Sequence, residues 1–94
     1  MPITLLSNET STGSPVEIVG AQYLFRIESA GWNGATAELQ IEGPNGTYIP
    51  VPDVSFTANG VVRVFLAGGL NAKVVISAAT PSSGVYADLI AFGV

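Results

Sequence analysis

Residues 33–51 read Asn33-Gly34-Ala35-Thr36-Ala37-Glu38-Leu39-Gln40-Ile41-Glu42-Gly43-Pro44-Asn45-Gly46-Thr47-Tyr48-Ile49-Pro50-Val51. Ala35, Ala37, Leu39 and Ile41 share one parity, and Thr36, Glu38, Gln40 and Glu42 share the other. Alternation with period two describes a strand that has one buried face and one wet face. Gly43-Pro44-Asn45-Gly46 then reverses the chain. Pro44 presets φ for the first corner of a type I turn, Asn45 tolerates the second, and Gly46 supplies the positive φ of a bulged hairpin. Thr47-Tyr48-Ile49 returns as the partner strand. A β-hairpin, and an all-β protein around it, follow from this stretch.

Outward from the hairpin the same grammar repeats. Toward the N-terminus, Ala30-Gly31-Trp32-Asn33-Gly34 is a glycine-rich connection. Before it, Gln22 to Ser29 alternates with Tyr23, Phe25 and Ile27 on one face and Leu24, Arg26 and Glu28 on the other. Pro15 to Val19 forms another strand, with Pro15 at its start where no ladder donor is needed. Asn8 to Ser14 is a polar loop, and residues 2–7 form a short apolar arm or edge strand. Toward the C-terminus, Pro52-Asp53 interrupts the hairpin's return strand, Val54-Ser55-Phe56-Thr57 extends beyond it, and Ala58-Asn59-Gly60 has the composition of a tight bulged turn. Strands follow at 61–66, 72–79 and 85–94, separated by Ala67 to Asn71 and by Thr80-Pro81-Ser82-Ser83-Gly84. No segment carries helical periodicity. About eight short strands with regular turn signals describe a single-domain antiparallel β-sandwich, jelly-roll-like, with immunoglobulin connectivity as the other way to link two such sheets.

Composition narrows what such a domain does. The chain has 94 residues, of which 48% are hydrophobic and only 11% charged; about 25% charged is usual for a soluble domain. A chain this short cannot hide so much apolar surface within itself. Strands 61–66 and 85–94 are apolar on both faces, so one face belongs to the core; the other meets a neighbouring subunit, or its outer aromatics are merely tolerated in water, and the subunit is the better reading. Net charge is −4, with Arg26, Arg63 and Lys73 the only cations, which argues against nucleic acid and anionic membrane as partners. Nothing at the N-terminus reads as a signal peptide and no run approaches the ~20 apolar residues of a membrane span; cytoplasmic synthesis of a soluble or assembling chain is the expectation.

Catalytic chemistry has little to work with. There is no histidine and no cysteine, which removes the commonest general base, metal ligand and thiol nucleophile. Ser11-Thr12-Gly13-Ser14 and Ser82-Ser83 read as turn formers. Glu38 and Glu42 lie on one strand face about 13 Å apart, beyond the roughly 5–9.5 Å of a glycosidase pair. Asp53 alone makes a poor calcium loop, and Gly68-Gly69 lacks the lysine of a phosphate-binding loop. No enzyme, cofactor or metal is expected. Trp32, set among glycines, either stacks on a sugar or else caps the open end of the sandwich or sits in a subunit contact, and the structural role is the better reading.

The run 34–51, together with Phe56-Thr57-Ala58-Asn59-Gly60-Val61 and Gly84-Val85-Tyr86-Ala87-Asp88-Leu89, resembles small β-sandwich structural proteins of tailed bacteriophages. These are the decoration or cement proteins of the capsid surface and modules of phage fibres. The resemblance covers roughly residues 32–94 and rests on patterning. It implies a homodimer or homotrimer on the virion, contacting the major capsid protein and itself, and holding the shell by non-covalent contacts. On that reading residues 1–14 are an arm or edge segment and 15–94 the sandwich domain. The expected interface residues are Ile3, Leu5, Trp32, Phe65, Tyr86, Ile90 and Phe92. The alternative is a receptor- or glycan-binding module of a tail fibre, with Trp32 at the contact.

Overall fold

The computed structural model describes residues 2–91, so Phe92 lies outside the described residues. Eight strands follow one another without a helix among those residues: β1 (Pro2–Glu9), β2 (Val16–Glu17), β3 (Ala21–Ser29), β4 (Thr36–Glu42), β5 (Tyr48–Phe56), β6 (Gly60–Leu66), β7 (Asn71–Ser77) and β8 (Val85–Ala91). They make two four-stranded sheets, ordered β1-β8-β3-β6 and β2-β7-β4-β5. Every pairing is antiparallel, and the pairs β1–β8, β2–β7, β3–β6 and β4–β5 are nested. The nest is that of one long hairpin, tipped by the 43–46 turn and rolled up until its two halves face each other. That order is the jelly roll, and immunoglobulin connectivity is excluded.

Period-two alternation places the core. Tyr23, Phe25 and Ile27 of β3 and Val85, Ala87 and Leu89 of β8 turn inward from the first sheet. Ala37 and Leu39 of β4 and Ala72 and Val74 of β7 meet them from the second. Phe25 and Phe56 bridge the sheets with ring centroids 5.8 Å apart. The tip of the hairpin has the expected chemistry: the Gly46 N–H bonds the Gly43 carbonyl at 3.0 Å, and Gly46 has φ of 81°.

The structure decides between two readings of the N-terminal segment and corrects three other expectations. Of arm and edge strand, it is the edge strand that residues 2–9 form. In this strand, β1, Leu5 turns into the core by alternation with Ile3, and the register shift against β8 after Thr4 brings Leu6 in beside it, at 5% and 2% exposure. The second strand spans only Val16 and Glu17, although Ile18 remains bound to the β6–β7 turn through its N–H to Leu70 (2.8 Å) and its carbonyl to Gly69 (2.9 Å). Pro52-Asp53 does not end β5. Gln40 faces Pro50 while Glu38 faces Ser55, so the intervening residues bulge outward with Asp53 at φ 64° and Val54 returned to the core. Ala58-Asn59-Gly60 closes no hairpin, because β5 and β6 belong to different sheets; it carries the chain across the sandwich.

Candidate functional site

The outer faces of the two sheets differ. On the second, β4 presents Thr36, Glu38, Gln40 and Glu42, and these polar groups largely satisfy one another and their neighbours. The Gln40 amide donates to Glu38 at 2.9 Å, Glu42 accepts the Asn71 N–H at 3.4 Å, and the Lys73 ammonium sits 4.4 Å from the centre of the Tyr48 ring. Glu38 and Glu42 thus hold separate partners and do not act on one point. Among the described residues no cluster of three or more acidic, histidine or cysteine side chains is placed to hold a metal ion.

The first sheet presents Leu24, Arg26 and Glu28 from β3, Val61, Arg63 and Phe65 from β6, and Tyr86, Asp88 and Ile90 from β8. Register brings them together. Leu24 lies between Ile90 and Arg63, and Phe65 pairs with Gln22, one diagonal step from Leu24. Cross-strand diagonals of this kind are within reach of aromatic and long side chains. An apolar band therefore runs Phe65–Leu24–Ile90 across three strands. Phe65 is 76% exposed, Val61 60% and Tyr86 48%; away from this face, Val19 and Ile49 are exposed as well.

Beside that band opens a hollow of about 600 Å³, lined by Thr4, Ser7, Arg26, Glu28, Tyr86 and Asp88 among others. At its centre the Arg26 guanidinium grips Asp88 with both arms of its fork, Nε to Oδ1 at 2.9 Å and Nη2 to Oδ2 at 2.6 Å. The hydrogen bond to Asp88 and then its charge push the Arg26 pKa up, so the guanidinium keeps its proton at every working pH. The stabilisation tied to that raised value is present below the guanidinium's ordinary range and is lost as strong alkali passes it.

Of the residues expected at an interface, Phe65, Tyr86 and Ile90 are brought to this one face. Ile3 is half-buried against the core. Leu5 is a correction: it is a core residue at 5% exposure, on the inner face of β1 by alternation with Ile3. Trp32 sits at the end of the sandwich, half-buried on the core, its indole N–H donated to Asn59 Oδ1 at 2.8 Å. Leu24, Arg26, Val61 and Asp88 also belong to the face. The alternation in 22–29 puts Leu24 and Arg26 on one face, but the Arg26–Asp88 pair spans 62 positions and no local signal announces it.

Fold and face define the class, a jelly-roll β-sandwich with one partly apolar, partly polar outer sheet. No protein-family model matches the chain, and neither a curated protein nor a solved structure matches it. The class therefore stands on strand order and the face on its own residues.

Proposed function

We propose that this chain is a structural assembly protein, a phage capsid decoration or cement subunit that binds the major capsid protein and further copies of itself through the outer face of its first sheet. One observation carries the reading: in a chain with 11% charged residues, the large exposed apolar side chains of β6 and β8 gather with Leu24 on one face. Apolar surface of this kind is removed from water when subunits meet. The phage assignment adds the resemblance of residues 32–94 and goes no further than that resemblance. Mass spectrometry of purified virions tests it. The chain is expected in particles at a fixed ratio to shell protein, and its consistent absence from particles would refute the proposal.

A second reading has the hollow in its favour: a glycan-binding module of a tail fibre. Its contact is Tyr86 beside the Arg26–Asp88 fork, where an aromatic face and paired hydrogen-bonding groups suit a sugar. Trp32 is the weaker candidate, since its indole N–H is engaged by Asn59. A glycan array with wild type, Tyr86→Ala and Trp32→Ala decides. Binding lost with Tyr86→Ala alone favours this reading, and no glycan signal from wild type removes it.

A further inference from the structure

The chain contains three Asn-Gly pairs, at 33–34, 45–46 and 59–60. Such a pair carries its own nucleophile, because the next backbone nitrogen can reach the asparagine side-chain carbonyl carbon. Glycine has no Cβ to obstruct that approach. The structure treats the three pairs differently. Asn59 Oδ1 is held by two donors, the Ser29 N–H and the Trp32 indole N–H, both at 2.8 Å. Gly60 beside it pairs with Ile27 and has the Phe56 ring packed against it. Asn33 donates its side-chain amide to the Thr80 carbonyl at 3.0 Å. Its backbone is pinned on both sides, by half-buried Trp32 and by buried Ala35, whose N–H bonds the Trp32 carbonyl at 2.8 Å. Asn45 is held by nothing of this kind. It is exposed together with Pro44, Gly46 and Thr47, and its side chain has no partner among the described residues. Two backbone bonds close the tip, Gly46 N–H to the Gly43 carbonyl at 3.0 Å and Gly43 N–H to the Thr47 carbonyl at 2.8 Å. Neither involves a core residue, so the tip opens while the sandwich stays folded.

We propose that Asn45 is a self-modification site of the folded protein, where the side-chain amide cyclises onto Gly46 and is hydrolysed, while Asn33 and Asn59 are kept intact by their partners. Opening of the tip releases the Gly46 N–H from Gly43 and lets Asn45 turn its side-chain carbon onto the freed nitrogen. That nitrogen gives up its proton to solvent and attacks Asn45 Cγ. The Cγ–N bond forms, the Cγ–Nδ2 bond breaks, and Nδ2 leaves as ammonia after taking a proton back from solvent. Water then opens the imide ring at either carbonyl, giving aspartate or isoaspartate. One water enters, one ammonia leaves, and no electrons change hands. Either product adds one negative charge to a chain of net charge −4. Isoaspartate also lengthens the main chain of the turn by one atom, so the bond from Gly46 to Gly43 does not re-form in its old geometry. Attack at Asn59 would first require both bonds on its Oδ1 to break, and attack at Asn33 would disturb Trp32 or Ala35.

Peptide mapping of the full chain, aged folded or in concentrated urea in mildly alkaline buffer made with heavy-oxygen water, tests the site. Cleavage after Arg26 and Arg63 releases a single peptide that holds all three asparagines, so their conversions are read against one another by fragmentation. In the folded chain Asn45 is expected to convert about tenfold or more faster than either of the others, because their side-chain bonds must break first. Its product should carry one heavy oxygen from the solvent. In urea those bonds are gone and the three sites should convert at comparable rates. Folded protein in which Asn33 or Asn59 keeps pace with Asn45 would overturn the proposal. So would a folded chain whose Asn45 stays intact while the same residue converts in urea, since the closed turn would then be protecting it.

Discussion

Gly46 turns the chain with φ of 81° and has nothing within 4 Å of where a Cβ would stand. Alanine there meets backbone strain and no steric clash, so Gly46→Ala should cost about 1–2 kcal/mol, and Gly46→Asn less. Urea unfolding monitored by circular dichroism reads both values. Asn59 poses the opposite case, a loop residue whose importance is entirely in its partners. Its Oδ1 accepts the Ser29 N–H and the Trp32 indole N–H, both at 2.8 Å. Asn59→Ala leaves both donors without that acceptor and is expected to cost about 1–2 kcal/mol. Because Trp32 is the sole tryptophan, its emission should shift to longer wavelength as the ring loosens; unchanged emission and stability would refute the role. The Gly46 turn was legible in the sequence because turn chemistry is contained in four neighbouring residues. The Asn59 network was not, since its donors lie 30 and 27 positions away.

Among the elements, β1 shows where local reading falls short. Residues 2–7 are apolar, but apolarity does not distinguish an arm from a strand. The difference lies in the pairing with β8, whose slip after Thr4 brings Leu6 into the core beside Leu5. Removing residues 2–9 should therefore uncover the inner face of β8 and abolish cooperative unfolding, and a truncated chain that melts like the whole protein would contradict that. The β2–β3 and β6–β7 connections make a second such pair. A Cβ on Gly20 would lie 2.7 Å from the Gly68 backbone nitrogen, and one on Gly68 would lie 2.8 Å from that of Gly20. Neither backbone can yield cheaply, so Gly68→Ala is expected to lower stability by about 1–3 kcal/mol, measured by thermal melting. The glycines were visible as loop residues, while their mutual approach depends on how two turns far apart in sequence dock. In β5 the error was of the same kind. Pro52-Asp53 looks like a stop, yet prolines are tolerated on an edge strand and at a bulge, and β5 offers both.

For the whole molecule, low charge and a one-sided apolar face predict how association responds to solvent. Contacts made by Phe65, Leu24 and Ile90 should hold from low to physiological salt and strengthen in sulfate, which promotes apolar burial. Sedimentation velocity across both series checks this; a complex that dissolves with moderate sodium chloride would mean that charge, and not apolar area, holds it. By itself the sequence determined the all-β class, the hairpin tip at 43–46, most strand positions and the inward residues of β3 and β4, because turn geometry and period-two alternation are properties of neighbours along the chain. Only the tertiary structure decided the nested strand order, the burial of Leu5, the Arg26–Asp88 fork and the gathering of Phe65, Leu24 and Ile90 on one face. Each of these depends on register between strands that are distant in sequence, and register is set by the packing of the whole core.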